Sequence, residues 1–315
     1  MNARPLIIDC DPGQDDAVAL LLAFASPEEF DLLGITAVAG NVPLARTESN
    51  ARRIRDLAGR PDVPVYAGCS RPMVREPETA EYIHGPTGID GADLTEPSRP
   101  AETAHAVDFL VDALTAAQEP ITLATLGPLT NVALAIVKNP AICASVREIV
   151  TMGGAVGLGN VTPAAEFNIH ADPHAAHVVF EAGVPLTMIG LDVTHQAIAT
   201  PPRLEAIRAL DTAPAAAVCG MLDLYGKKNI EAYHHGAPMH DPCVIAYLLA
   251  PDLFEGRDMR VDVELGDGHC FGRTVCDLHG RTGVAANAHV LQRVDADGFF
   301  AMLTERLARL PVAPI

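Results

Sequence analysis

Short apolar runs alternate with amphipathic stretches from the start of the chain. Residues 5–10 form an apolar run with β-branched Ile7 and Ile8, Pro12-Gly13 interrupts it, and 17–25 follows as good helix formers. A second run at 32–39 leads through Gly40-Asn41 to a helical segment at 46–58, and 63–66 reads as a third short strand. The alternation returns with a strand at 121–126 before a helix at 129–137, and with a strand at 146–152 before a glycine-rich loop. A strand at 184–191 then follows a helix at 173–182. Strands and helices in turn predict parallel βαβ units, that is, an α/β fold with an open, mostly parallel central sheet and helices on both faces. Beyond Pro251 the pattern turns strand-like at 260–265 and 272–278, before a final helix at 298–310.

Residues 71–100 break this rhythm. They are polar and rich in Pro and Gly, and include His84-Gly85-Pro86-Thr87-Gly88. A long loop inside a compact domain is usually a functional lid or a disordered connection; the composition here leaves mobility open and is compatible with closure over a ligand. No shift in composition, repeat or low-complexity tract divides the chain, so a single domain over 1–315 is expected, decorated by this loop.

Composition narrows the function classes. At 315 residues and 49% hydrophobic content the chain can bury a substantial core. No apolar stretch approaches the ~18–20 residues of a membrane span. Residues 1–5 lack the basic-then-apolar order that opens a secretory signal. A cytoplasmic location and no membrane partner are therefore expected. Seven scattered cysteines without a CxxC pair read as small buried apolar residues rather than zinc ligands or disulfides. A net charge of −18 and an aromatic content of 4% argue against nucleic acid polymers as partners, and the charge suits a pocket that holds a cation.

The candidate chemistry begins at Asp9-Cys10-Asp11-Pro12-Gly13-Gln14-Asp15-Asp16. Asp9 and Asp11 end the first strand and share a face if the strand continues. Asp15 and Asp16 enter the first turn of the next helix, where the positive helix end favours carboxylates. A helix cap plus solvated acids would explain any one of them. Four carboxylates in eight residues, at the strand edge where open α/β sheets bind ligands, repel one another unless a cation lies between them. Oxygen donors with no His or Cys among them favour Ca²⁺ or Mg²⁺.

A second constellation, at 159–168, follows the strand that ends Met152-Gly153-Gly154. Asn160, Glu166 and Asn168 offer donors and acceptors suited to several hydroxyls of one sugar, although Asn also serves turn backbone. A third, His240-Asp241-Pro242-Cys243, precedes an apolar helix at 244–249. Asp241 before Pro242 fits an N-cap as well as a functional carboxylate, and His240 is a proton donor or a plain loop histidine. The other histidines, His234 and His235 included, form no metal-ligand spacing, and there is no GxSxG elbow, P-loop or strand-linked GxGxxG.

Together these constellations resemble the inosine–uridine-preferring nucleoside hydrolase family across nearly the whole chain. The resemblance rests on the aspartate cluster from Asp9 to Asp16, Gly40-Asn41, His84-Gly85 and Gly127-Pro128-Leu129-Thr130-Asn131. It continues through Met152-Gly153-Gly154, Ala165-Glu166-Phe167-Asn168-Ile169, Gly190-Leu191-Asp192-Val193-Thr194-His195 and His240-Asp241-Pro242. It implies that family's Rossmann-like fold, a ribonucleoside substrate cleaved to free base and ribose in nucleoside salvage, one Ca²⁺, and a homo-oligomer (dimer or tetramer). By the same resemblance Asp11, Asp16 and Asp241 would hold Ca²⁺ through their side chains and Leu126 through its carbonyl. The family often has Thr at that last place, to which a carbonyl ligand is indifferent. Asp15, Asn41, Asn160, Glu166, Asn168 and Asp241 would grip the ribose hydroxyls. His84 and His240 resemble the base-side histidines of the purine-active branch. Where some relatives carry a second tyrosine shortly after Tyr225, this chain has Asn229, which leaves purine or pyrimidine preference open.

The physics accords with that resemblance. Cleaving an N-glycosidic bond builds positive charge on ribose, an oxocarbenium-like state that carboxylates and amide oxygens stabilise more than they do the neutral substrate. The expected roles are a Ca²⁺-positioned water, Asp11 as the base that takes its proton, and His240 as the donor to a departing purine. The rival readings are a nucleoside- or ribose-binding protein without turnover and, less favoured, a haloacid dehalogenase-type phosphatase. The latter usually has Asp-Gly-Thr after its nucleophile, whereas Pro12 and Gly13 follow Asp11 here. A structural protein with a stabilising Ca²⁺ would leave the sugar-reading loop unexplained.

Overall fold

Eight strands form the central sheet, in the order β3-β2-β1-β4-β5-β6-β12-β9. In chain order the strands are β1 (Arg4–Cys10), β2 (Phe30–Ala37), β3 (Val65–Ala67), β4 (Ile121–Thr125), β5 (Val146–Met152) and β6 (Leu186–Ile189). They continue with β7 (Ile198–Ala199), β8 (Ala237–Pro238), β9 (Phe254–Met259), β10 (Val261–Val263), β11 (Thr274–Cys276) and β12 (Ala288–Val294). Every neighbouring pair of the main sheet is parallel except the antiparallel edge pair β9–β12. The computed structural model describes residues 3–233 and 236–311, the side chains of 228–233 excepted.

The helices are α1 (Gln14–Phe24), α2 (Leu44–Leu57), α3 (Glu81–His84), α4 (Ala106–Ala116), α5 (Thr130–Lys138) and α6 (Phe167–Ala171). They are followed by α7 (Pro173–Phe180), α8 (Leu191–Thr194), α9 (Pro201–Arg208), α10 (Ala213–Tyr233), α11 (Pro242–Leu249) and α12 (Ala296–Leu307). The sheet separates two apolar cores, and alternate side chains of β1 enter opposite ones. Leu6, Ile8 and Cys10 join the core with α1, α11 and α12, while Ile7 joins the one with α4, α5 and α7. A strand buried on both faces reads as the near-continuous apolar run seen at 5–10, interrupted only by Asp9. Every residue of α1 is buried among α2, α10, α11 and α12, so that helix shows no polar face in sequence.

The layout places the site. β1 lies between β2 and β4, so the chain leaving β1 and the chain leaving β4 part at a topological switch point. Asp11 follows β1, Gly40 follows β2, Leu126 follows β4, Gly153 follows β5 and Gly190 follows β6, all on one sheet edge.

Several local expectations shift. β1 ends at Cys10, so Asp9 and Asp11 do not share a face: Asp9 sits opposite Thr36 and Thr125 within the sheet, while Asp11 lies beyond it. α1 begins at Gln14 because Asp16 accepts the N–H of Gly13 in a capping arrangement, drawing both acids into its first turn. The strand-like pattern at 260–265 and 272–278 becomes the small hairpin β10–β11, outside the main sheet. The sheet is completed instead by β12 and by β9, an edge strand with four exposed central residues and no apolar alternation. No helix of the described residues is long and apolar enough to cross a membrane.

Candidate active site

Asp11 is wedged between two glycines. Its Oδ2 accepts the N–H of Asn41 at 2.7 Å, and its own N–H donates to Asp16 Oδ1 at 3.2 Å. A Cβ on Gly40 would overlap Oδ2, and one on Gly127 would overlap Oδ1. The glycines of Gly40-Asn41 and Gly127-Pro128 are therefore required by space around one carboxylate rather than by turn conformation.

Asp16 is gripped from three directions. Oδ2 accepts from the Gly13 N–H at 2.9 Å and from Asn41 Nδ2 at 3.1 Å, while Oδ1 takes the Asp11 N–H. Asp241 occupies the N-cap position of α11, yet its side chain makes no capping hydrogen bond among the described residues. Its carboxyl lies instead beside those of Asp15 and Asp16, so the plain cap fails as an account of Asp241. Asp15, Asp16 and Asp241 each bring a carboxylate oxygen within 4.8 Å of the others.

All four acids resist ionisation. Burial and the Asp16 charge push Asp15 up to about 7. Burial, reinforced by neighbouring carboxylates, holds Asp11 and Asp241 far above the usual carboxylate range, and burial raises Asp16. Asp11 Oδ1 and Asp15 Oδ1 are buried with no hydrogen-bond partner among the described residues. Crowded, buried, oxygen-only donors with orphaned lone pairs are the environment in which a hard divalent cation offsets the cost of charge burial. The site can hold one. Asp16 and Asp241 were expected as ligands and Asp15 as a sugar contact; the fold brings Asp15 into the same triplet, with Asp11 alongside. The Leu126 carbonyl accepts from Asn168 Nδ2 at 2.7 Å, which uses one of its two lone pairs.

A cleft of about 310 Å³ opens over these acids, lined by Asp15, Asp241, Asn41, Leu126, Asn160, Glu166 and Asn168, and by His84, His240 and Tyr225. Glu166 caps α6, accepting N–H bonds from Gly154 (2.9 Å), Asn168 (2.9 Å) and Ile169 (3.2 Å). Burial outweighs those donors and lifts its carboxyl to about 7. Asn160 Oδ1 takes the Phe167 N–H at 2.9 Å, so it serves the turn and lines the cleft at once.

Two histidines complete the lining. His84, on the single turn of α3, stacks on Tyr225 with ring centroids 5.4 Å apart. His240 Nδ1 lies 2.7 Å from Thr194 Oγ1, and its ring meets His195 edge-on at 5.6 Å. Burial, with the neighbouring His195 and His84, drives the His240 pKa far below its ordinary value, so this ring is neutral near pH 7. His234, His235 and the side chain of Asn229 lie outside what the structure describes.

Three supports had no functional reading in the sequence. Asp192 accepts the N–H groups of Val156 (2.6 Å) and Gly157 (3.1 Å), pinning the loop that leads to Asn160. Thr274 Oγ1 exchanges hydrogen bonds with Ala155 N (2.9 Å) and O (2.7 Å), bracing the same loop from the β10–β11 hairpin. Thr194 orients His240. Asp192 and Thr194 follow a strand's C-terminal end, a usable signal; Thr274 carries none.

Segment 71–100 is bound down along its length. Asn50 donates to Thr87 O at 2.8 Å, Arg53 to Leu94 O at 2.9 Å, and the Met73 N–H reaches Asp172 at 2.8 Å. It delivers Tyr82, Ile83 and His84 to the cleft.

Known proteins are similar to this chain in sequence and in fold. A family model described as inosine-uridine preferring nucleoside hydrolase matches residues 6–301. An uncharacterized protein of Schizosaccharomyces pombe is 46% identical over 312 residues, covering 97% of this chain and 99% of its own. Pyrimidine-specific ribonucleoside hydrolase RihA of Shewanella woodyi is 45% identical over 311 residues, covering 96% and 98%. Among solved structures, a purine-preferring ribonucleoside hydrolase from Gardnerella vaginalis superposes with a TM-score of 0.91 at 35% identity, covering 98% of this chain and 99% of that one.

Proposed function

Because this chain belongs to the inosine-uridine preferring nucleoside hydrolase family, we propose that it hydrolyses the N-glycosidic bond of ribonucleosides, releasing free base and ribose. The observation that carries the reading is a single cleft gathering the acidic triplet, the Glu166–Asn168 turn and the histidines His84 and His240. The orphaned oxygens and oxygen-only donor set fit Ca²⁺, which Asp15, Asp16 and Asp241 would hold, with Asp11 and the Leu126 carbonyl as further oxygen donors. When bound, Ca²⁺ supplies positive charge that orients a water and lowers its pKa.

The remaining steps belong to the protein. Asp11 accepts the proton of the attacking water through Oδ1, the oxygen that Asn41 leaves unused. Asn41, Asn160, Glu166 and Asn168, with Asp15 and Asp241, bind the ribose hydroxyls and place negative or dipolar oxygen beside the sugar. Positive charge developing on the ribose ring is stabilised there more than the neutral ground state is. His240 hydrogen-bonds the departing base through the nitrogen that Thr194 does not occupy.

The experiment that tests this is release of free base from inosine, uridine, cytidine, adenosine and guanosine, with and without a Ca²⁺ chelator. Release that chelation abolishes is expected. Binding of a nucleoside with no base released, in the presence of Ca²⁺, would establish a binding protein instead.

A further inference from the structure

Gln14 stands inside the aspartate cluster, but its side chain reaches away from it, to the loop that carries His84. It is fully buried at the first position of α1. Its Nε2 donates to the His84 carbonyl at 2.9 Å and lies 3.4 Å from the Asp90 carbonyl. Its Oε1 lies 2.7 Å from Nδ1 of the same His84 ring.

The contacts between Gln14 and the His84 segment fit one placement of hydrogens on the shared Gln14–His84 bond. Both carbonyls are acceptors only, so the amide nitrogen must face them and the amide oxygen must face the ring. An amide oxygen cannot donate, so His84 Nδ1 carries the proton. In the neutral ring Nε2 then carries a lone pair. Gly13 leaves room for this: a Cβ there would press on Nδ1 and Cε1 at 2.5 and 2.8 Å. Tyr225 stacks on the ring face, and Asn50 ties Pro12 O (3.0 Å) to Thr87 O (2.8 Å), holding the two segments together.

We propose that Gln14 is a positioning residue that locks His84 in the Nδ1–H tautomer, making this cleft histidine a hydrogen-bond acceptor for an N–H of the substrate's base. The proposal rests on the nucleoside hydrolase reading for its substrate, but the tautomer does not. A base N–H matched to the Nε2 lone pair gains one hydrogen bond in the cleft, and a base methylated at that nitrogen loses it. His84 becomes a proton donor through Nε2 only after taking up a proton.

Two measurements test it. Long-range ¹H–¹⁵N correlation on the Ca²⁺-loaded full chain reads the His84 tautomer directly, whether or not any nucleoside is cleaved. Nδ1–H is expected in the unmodified protein and a shift toward Nε2–H in Gln14→Met, which keeps the length of the side chain without its polar atoms. An unmodified protein in the Nε2–H form overturns the lock. In the second measurement, kcat/KM for uridine and inosine in Gln14→Met falls about tenfold, the scale of one lost hydrogen bond. A nitrophenyl riboside, whose leaving group has no ring N–H, is expected to change far less. Equal losses on all substrates would mean that Gln14 merely supports the fold, and overturn the proposal. If no substrate is turned over by the unmodified protein, the function reading fails while the spectrum still decides the tautomer.

Discussion

The carboxyl of Asp241, at the head of α11, and that of Asp16, in the first turn of α1, bring oxygens within 4.8 Å of each other and of Asp15. Two acids from distant parts of the chain thus crowd together in a buried place. Such a pair is stable when protonated or when a cation replaces the proton, and costly when both groups are charged and bare.

That relationship sets a pH signature. Asp9 and Asp15 rise from 3.8 to about 7, and Glu166 rises from 4.5 to about 7, mainly by burial. Between those values the folded chain holds protons that the unfolded chain has released, so stability falls as pH rises through this window. Each tenfold gain in proton affinity on folding corresponds to about 1.4 kcal/mol. Without Ca²⁺ the melting temperature is expected to drop between pH 5 and pH 8. Ca²⁺, which needs ionised ligands, is expected to raise it more at pH 8 than at pH 5. Thermal melts with chelator and with Ca²⁺ check this, and a Ca²⁺ gain that is flat with pH would contradict it.

Asp11 and Gly127 give a matched pair of variants. Asp11→Ala is expected to abolish base release while circular dichroism stays unchanged. Gly127→Ala keeps the acid but pushes a methyl into Oδ1, and a shift of about 1 Å at a reacting group costs roughly a hundredfold. Full activity in either variant would remove Asp11 from the base role.

His240 is neutral near pH 7 because burial and two neighbouring histidines oppose its charge. With a lowered folded pKa, it favours the fold above its unfolded value of about 6.5 and costs stability as pH falls below it. The pH–rate profile should therefore lack a His240 limb near 6.5. His240→Ala should cut kcat on inosine by about a hundredfold, the lower range for general acid catalysis, and spare a nitrophenyl riboside. Thr194→Val should reproduce part of the loss. Equal losses on both substrates would argue against proton donation.

Asp192 holds the loop at Val156 and Gly157 without lining the cleft. Two hydrogen bonds to a charged acceptor disappear in Asp192→Ala, at about 1.5–3 kcal/mol each before relaxation. The expected kinetic result is a KM several-fold higher with kcat changed less, since Glu166 keeps its own three donors. A loss confined to kcat would place Asp192 in the chemistry instead.

How much of this is legible in the sequence follows from where each signal resides. The aspartates stand within one strand–turn–helix unit, so spacing alone declares them together, and the apolar runs at 5–10 and 146–152 name β1 and β5 because apolar residues fill most of their buried positions. β9 escaped because an exposed edge strand needs no alternation. Segment 71–100 looks loose in composition, yet Asn50, Arg53 and Asp172 hold it by backbone hydrogen bonds that leave no periodic trace.

The cleft itself divides along the same line. Local order along the chain names the acids, Asn160, Glu166, Asn168 and His240, which stand in loops after strands or at helix starts, where ligands meet open α/β sheets. His84, at the end of α3, is named only by the family resemblance. That Asp15 rather than Asp11 forms the tightest triplet with Asp16 and Asp241 depends on how α11 lies against α1, a contact between distant segments. The crowding that makes glycine necessary at 40 and 127, the tautomer of His84 and the neutrality of His240 likewise arise only when those segments meet. Spacing reports which groups are neighbours along the backbone; desolvation, charge coupling and hydrogen-bond direction depend on neighbours in space.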